Sequence, residues 1–173
     1  MFQRQVLVNT KGYPMILQQG QSYLPLPDYW VALLHKRLMG QRVLRVSSSA
    51  QSLRVYGHCA APSVCDGCLA LALINIGEKT AHVQPPSLGG EEQASVAVQT
   101  WVLTAGAKLP SAPNPLQSRE ALLNGAPLKL SAQGGLPAMP GAMPGASSQG
   151  AVAMPPTSYG FAVYPQLKPA ACK

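Results

Sequence analysis

Charge is what this sequence has least of. Of its 173 residues, 11% are Asp, Glu, Lys or Arg, against about a quarter in an ordinary soluble domain. Thirteen are Lys or Arg and six are carboxylates, a net charge of +7. So few acids leave little material for acid/base catalysis. Pro, at 17 residues, is too common for a coiled coil or helical bundle. Long apolar runs are missing as well. The longest, Cys68–Ile76, has nine residues and includes Asn75, whereas a membrane helix needs about 20. Phe occurs only at positions 2 and 161. The aromatic interleaving of single-strand binders is therefore absent, and no nucleic-acid partner is expected. The opening MFQRQVLVNTKGY has no apolar run leading to a small-residue cleavage site, so it is not a signal peptide. Either the protein is cytosolic or Met1 is not the natural start. What remains is an apolar fraction of 47%, too high for a disordered chain. The length suits one domain, or one domain plus a piece of another.

Periodicity divides the chain near Gly40. Residues 3–8 (QRQVLV) read as a short strand, followed by a loop, Asn9–Leu24. Residues 25–40 (PLPDYWVALLHKRLMG) read as a helix. Pro27 is tolerated in a first turn, and Asp28 sits at the positive end of the helix dipole while His35, Lys36 and Arg37 sit at the negative end. Gly40 is expected to supply the left-handed residue that ends it. Trp30, Leu33, Leu34 and Leu38 form one apolar face. After Gly40 the period becomes two. Strands are expected at 41–46, 53–60, 69–76, 96–103 and 159–164, with Asn124-Gly125 marking a two-residue hairpin. Short strands separated by turn residues indicate a β-sandwich or barrel. Residues 131–158 are rich in Ala, Gly, Pro, Ser and Met and repeat AMPG. With little to bury, they read as a mobile low-complexity loop.

The residues that could carry chemistry are few. Asp28 belongs to the helix start, Asp66 lies between two cysteines, Glu78 is in a turn, Glu91 and Glu92 are in a Gly-flanked loop, and Glu120 precedes a strand. All six read as solvated charges. No G-x-S-x-G elbow or phosphate-cradling loop is present. Cys65 and Cys68 form a C-x-x-C turn, which reads as a local disulfide or two free thiols. Zinc would need four ligands, and Cys59, His58 and His82 complete a set only at irregular spacing. No metal or cofactor is expected. A bridge between Cys59 and Cys172 would tie the chain end to an early strand, contributing on the order of 4 to 5 kcal/mol in the chain-entropy model and implying an oxidising compartment. Arg42, Arg45 and Arg54, with Lys36 and Arg37, concentrate positive charge that suits a polyanion, nucleic acid or acidic polysaccharide, or an ordinary solvated face.

An ordered series of segments carries a family resemblance: PLPDYWVALLHKRLMGQRVL, LRVYGHC, LALALINI, LQSREALLNGAPLKL and YGFAVYPQLKPAAC. The series resembles the carboxyl-terminal part of the heparanase family, glycoside hydrolase family 79, including its plant heparanase-like members. The resemblance spans most of residues 2–173 and weakens around Cys65–Cys68 and 131–157. It implies a mainly β chain: an antiparallel β-sandwich over 41–173, with 131–157 a flexible loop. Residues 1–40 would be a remnant of the catalytic β/α barrel, namely its last strand, a loop and its last helix. It also implies that Cys59 and Cys172 are bridged. The family hydrolyses β-glucuronide bonds with one Glu of an Asn-Glu pair as acid/base and a second Glu as nucleophile. Both lie upstream of this region, and the four Asn here precede Thr10, Ile76, Pro115 and Gly125. The chain alone is thus expected to be inactive. Gly12 and Tyr13 fall where the family has a sugar-contacting loop. The implied partners are a glucuronic-acid-containing glycan and the upstream barrel. The implied location is the secretory pathway, either extracellular and cell wall or lysosome and vacuole, with peripheral membrane association. A lone barrel strand and helix should also leave Trp30, Leu33, Leu34 and Leu38 exposed.

Overall fold

The computed structural model describes residues 6–88, 96–106, 114–144 and 149–173. The described residues form twelve strands and one α-helix in the order β1 (Val8–Asn9), β2 (Ile16–Gln19), β3 (Ser22–Pro25), α1 (Pro27–Leu38), β4 (Met39–Leu44), β5 (Leu53–Ala60), β6 (Leu69–Asn75), β7 (Ala81–Val83), β8 (Gln99–Ala105), β9 (Ala121–Leu123), β10 (Ala126–Pro127), β11 (Val152–Met154) and β12 (Ser158–Tyr164). Seven strands make one antiparallel sheet in the order β10-β9-β8-β12-β6-β5-β4. β11 and β7 pair as a second, two-stranded sheet, and β1–β3 make a third. The chain is therefore mainly β and antiparallel, as a β-sandwich requires.

The large sheet is buried on both faces, and LALAL in β6 shows how. Ala70 and Ala72 point to one face and Leu69, Leu71 and Leu73 to the other. The small side chains leave room for α1, whose Trp30, Leu34 and Leu38 pack with Ala60, Ala70, Ala72, Phe161 and Val163. The leucines pack with Val152, Met154 and Tyr164 beneath the small sheet. A run apolar on both faces thus marks a central strand. At the Asn124-Gly125 hairpin both residues have positive φ, 48° and 84°, the backbone a two-residue turn needs between twisted strands.

Four expectations change. The loop 9–24 contains the β2–β3 hairpin, paired from Ile16↔Pro25 to Gln19↔Ser22. Gly40 does not end the helix in a left-handed conformation. Met39 follows α1 directly into extended backbone, and a Cβ on Gly40 would lie 2.6 Å from the Cys59 carbonyl oxygen. The glycine lets β4 approach β5 beside a register shift. Within 131–157, Val152–Met154 is not loop but a strand, with Met154 fully buried, and Ala142 exchanges backbone hydrogen bonds with Thr100. Finally, Trp30, Leu34 and Leu38 are buried rather than exposed, and Leu33 is partly buried. The sheet itself covers the helix. Within residues 6–40 the exposed large apolar side chains are instead Val6 and Leu7, each 58% exposed, with Val8, Tyr13 and Tyr23. The expected strand at 3–8 lies partly outside the described residues.

Candidate functional site

Two regions hold the residues singled out by sequence. The first is the β1–β3 sheet. β1 runs parallel to β2, and Ile16 N donates to Leu7 O at 2.8 Å. The loop joining them carries Gly12, with φ of 82°, and Tyr13, 87% exposed. Pro14, next to it, is fully buried, so the loop is anchored while the Tyr13 ring stands in solvent. The fold thus presents the Tyr13 ring to solvent.

The second region is the edge formed by β4 and β5. Arg42 Nη1 donates to the carbonyl oxygens of Ala171 at 2.9 Å and Lys173 at 2.8 Å. It holds the chain end, beside the Cys59–Cys172 disulfide. Arg45 follows β4, and Arg54 donates to the Gln51 carbonyl. Because Leu44 pairs with Gly57, Arg45 and Arg54 lie toward one end of this strand pair and Arg42 toward the other. The three arginines are all exposed but do not form one cluster.

Of the other candidates, Cys65 pairs with Cys68 inside its turn. Among the described residues no three His, Cys, Asp or Glu side chains converge as metal ligands. His58 Nδ1 lies 2.7 Å from the Gly40 carbonyl oxygen, Cys59 is bonded to Cys172, and His82 is exposed on β7. His35 meets His58 edge-on at 5.7 Å between ring centroids. Desolvation, then repulsion from His58, lowers the His35 pKa. Asp28 accepts from Tyr29 N at 3.0 Å, and Glu120 pairs with Lys129 at 3.3 Å. Asp66 and Glu78 are exposed, and Glu91 and Glu92 lie outside the described residues. One cleft is lined by a single carboxylate side chain, Glu120, and another by Asp66 alone, whereas glycosidic cleavage requires two.

Sequence reasoning missed Asn75. It is 1% exposed, donates to the carbonyls of Lys79, Met154 and Pro155, each at 2.9 Å, and accepts from Gly77 N at 2.9 Å. A lone amide ending an apolar run was the available signal.

Mouse (Mus musculus) heparanase is 38% identical to this chain over 176 residues, covering 98% of the chain and 30% of the mouse protein. This sequence is the carboxyl-terminal part of a heparanase-like protein. Baicalin-β-D-glucuronidase of Scutellaria baicalensis is 36% identical over 140 residues, covering 80% of the chain and 24% of that enzyme. The heparanase-like chain thus spans less than a third of the length of these relatives. No protein-family model matches it. Among solved structures, an arabinose-bound MgGH51 α-L-arabinofuranosidase superposes with a TM-score of 0.52 at 13% identity, covering 89% of the chain and 21% of that protein. That likeness supports the fold alone. The relatives place a glycoside-hydrolase-like carboxyl-terminal domain here, and the Cys59–Cys172 bridge agrees with it.

Proposed function

We propose that this chain is the supporting sandwich, with the last barrel strand and helix, of an enzyme that hydrolyses β-glucuronide bonds in acidic polysaccharide or proteoglycan glycans. Residues 1–40 belong to the barrel and 41–173 to the sandwich. The carrying observation is the alignment of nearly the whole chain to heparanase together with the lack of any Asn-Glu pair in its sequence. Retaining hydrolysis needs two carboxyl groups about 5 Å apart, so the chain by itself is inert and depends on an upstream barrel. Gly12 and Tyr13, just past the carboxyl end of β1, stand where a barrel keeps its chemistry, and Tyr13 contacts the sugar there. The disulfide supports passage through an oxidising compartment; the family resemblance adds a secreted, cell-wall, lysosomal or vacuolar location with peripheral membrane association.

The test is an assay of the purified 173-residue chain on a glucuronide and a heparan-type substrate. No turnover above background is expected, and turnover would overturn the reading. A companion measurement reads the sequence upstream of Met1 for a barrel with an Asn-Glu pair. A second reading, a basic sandwich that binds acidic polysaccharide without cleaving it, is favoured by the exposed Arg45 and Arg54. Neutralising Arg42, Arg45 and Arg54 should then lower the salt needed for elution from heparin. Unchanged elution removes that reading.

A further inference from the structure

A cleft of about 720 Å³ separates the β2–β3 hairpin from the β9–β10 end of the large sheet. We propose that it is an accessory subsite for an acidic oligosaccharide, continuing the groove of the intact enzyme; this rests on the glycan-cleaving function proposed above. The hairpin wall carries Gln21 and Tyr23, whose side chain is 52% exposed. The sandwich wall carries Arg119, Lys129 and Gln133, and buried Leu128 lies between them.

Each wall suits one part of such a ligand. A pyranose ring has an apolar C–H face, which a half-exposed tyrosine covers while its hydroxyl stays wet. Uronic acid and sulfate groups are anions, matched by a guanidinium fork and an ammonium. Glu120 pairs with Lys129 at 3.3 Å, so it offsets one cation and leaves the wall net positive. The two amides can serve sugar hydroxyls.

The sandwich wall is also preorganised. The Glu120 carbonyl accepts from Gly106 N at 2.9 Å, and Leu128 N donates to Ala121 O at 2.9 Å. Ser131 closes its turn through Gly134 N at 2.9 Å to its carbonyl and Gly135 N at 3.0 Å to its hydroxyl. Position completes the case. β2 runs parallel to β1, so the Gln19–Ser22 turn points the same way as the carboxyl end of β1. In a β/α barrel that end carries the active site.

The test titrates the 173-residue chain with a heparan-type hexasaccharide while amide chemical shifts are followed. Shift changes at Tyr23, Arg119, Lys129 and Gln133 are expected. Tyr23→Ala and Arg119→Gln should each weaken binding about five- to tenfold. Arg119→Gln should also reduce the salt dependence by about one counterion, whereas Tyr23→Ala leaves it unchanged. Both side chains are exposed, so neither substitution threatens folding, and the shift map of the unsubstituted chain needs no variant. Shift changes confined to Arg45 and Arg54, equal affinity for a neutral β-glucan hexasaccharide, or no binding would each overturn the subsite. None of these outcomes touches the hydrolase reading, which falls instead if the upstream sequence encodes no barrel with paired catalytic carboxylates.

Discussion

At the residue scale, the polar side chains that matter most here hold backbone rather than ligand. Asn75 satisfies three carbonyls and one amide where β6, the turn after it and β11 meet. Asn75→Ala leaves those buried groups without partners, at a cost of about 2 to 4 kcal/mol, measurable as a lower urea midpoint. Arg42 was legible as a cation but not as a clamp, because its partners, Ala171 and Lys173, are about as far from it in sequence as the chain allows. Periodicity cannot see such a pairing. His35 was legible as a helix-end residue. Its packing against Phe161 and His58 was not. Since its folded pKa lies below the ordinary value of 6.5, the unfolded chain binds the proton more readily. The stability this gives is present above pH 6.5 and is lost as pH falls toward the folded pKa. Thermal melts of the native chain should show a fall in stability below pH 6.5 that His35→Gln reduces. An identical pH profile in the variant would refute the assignment.

Elements were legible wherever local pattern and final environment agree. The Asn-Gly hairpin, the alternation in 53–60 and the apolar run of β6 each state their own structure. β11 did not, because three residues, Val152–Met154, sit in a stretch whose average composition says loop. What makes them a strand is the register Val152↔Val83 and Met154↔Ala81, a non-local pairing. Gly40 misled for a related reason: a glycine after a helix can serve a left-handed cap or a close backbone approach, and only the position of β5 decides between them. Gly40→Ala tests that reading. Its Cβ would sit 2.6 Å from Cys59 O and 2.8 Å from Ala60 O, so β4 must move away from β5. We expect a loss of about 1 to 3 kcal/mol. If the glycine were an ordinary exposed cap without contacts, the loss would be smaller and the β4 amide shifts would not move.

Across the whole molecule, stability and incompleteness occupy different places. The Cys59–Cys172 bridge closes a separation of 113 residues and ties the chain end to β5, one strand in from the β4 edge of the large sheet. Cys172→Ser should cost about 3 to 5 kcal/mol, read as a lower melting temperature, and a reductant should lower it far less than it lowers that of the native chain. The helix, expected to be the bare side of a barrel remnant, instead packs Trp30 and Leu34 against the large sheet. Its face was legible in sequence; its partner was not, since an apolar stripe states that something covers it without saying what. What stays open within residues 1–40 is therefore less than the helix face. It is β1, whose flanking Val6 and Leu7 are exposed and which pairs with β2 alone among the described strands. A barrel strand needs a neighbour on each edge and helices over its outer face. Amide hydrogen exchange separates these two regions. In the chain alone, the amides of β6 and β12 should exchange only through global unfolding, while those of Val6–Asn9 exchange through local opening, many orders of magnitude faster. Joined to an upstream barrel, Val6–Asn9 should gain protection and β6 should change little. Strong protection at Val6–Asn9 in the chain alone would mean that β1 is already complete, and residues 1–40 would no longer need a barrel to explain them.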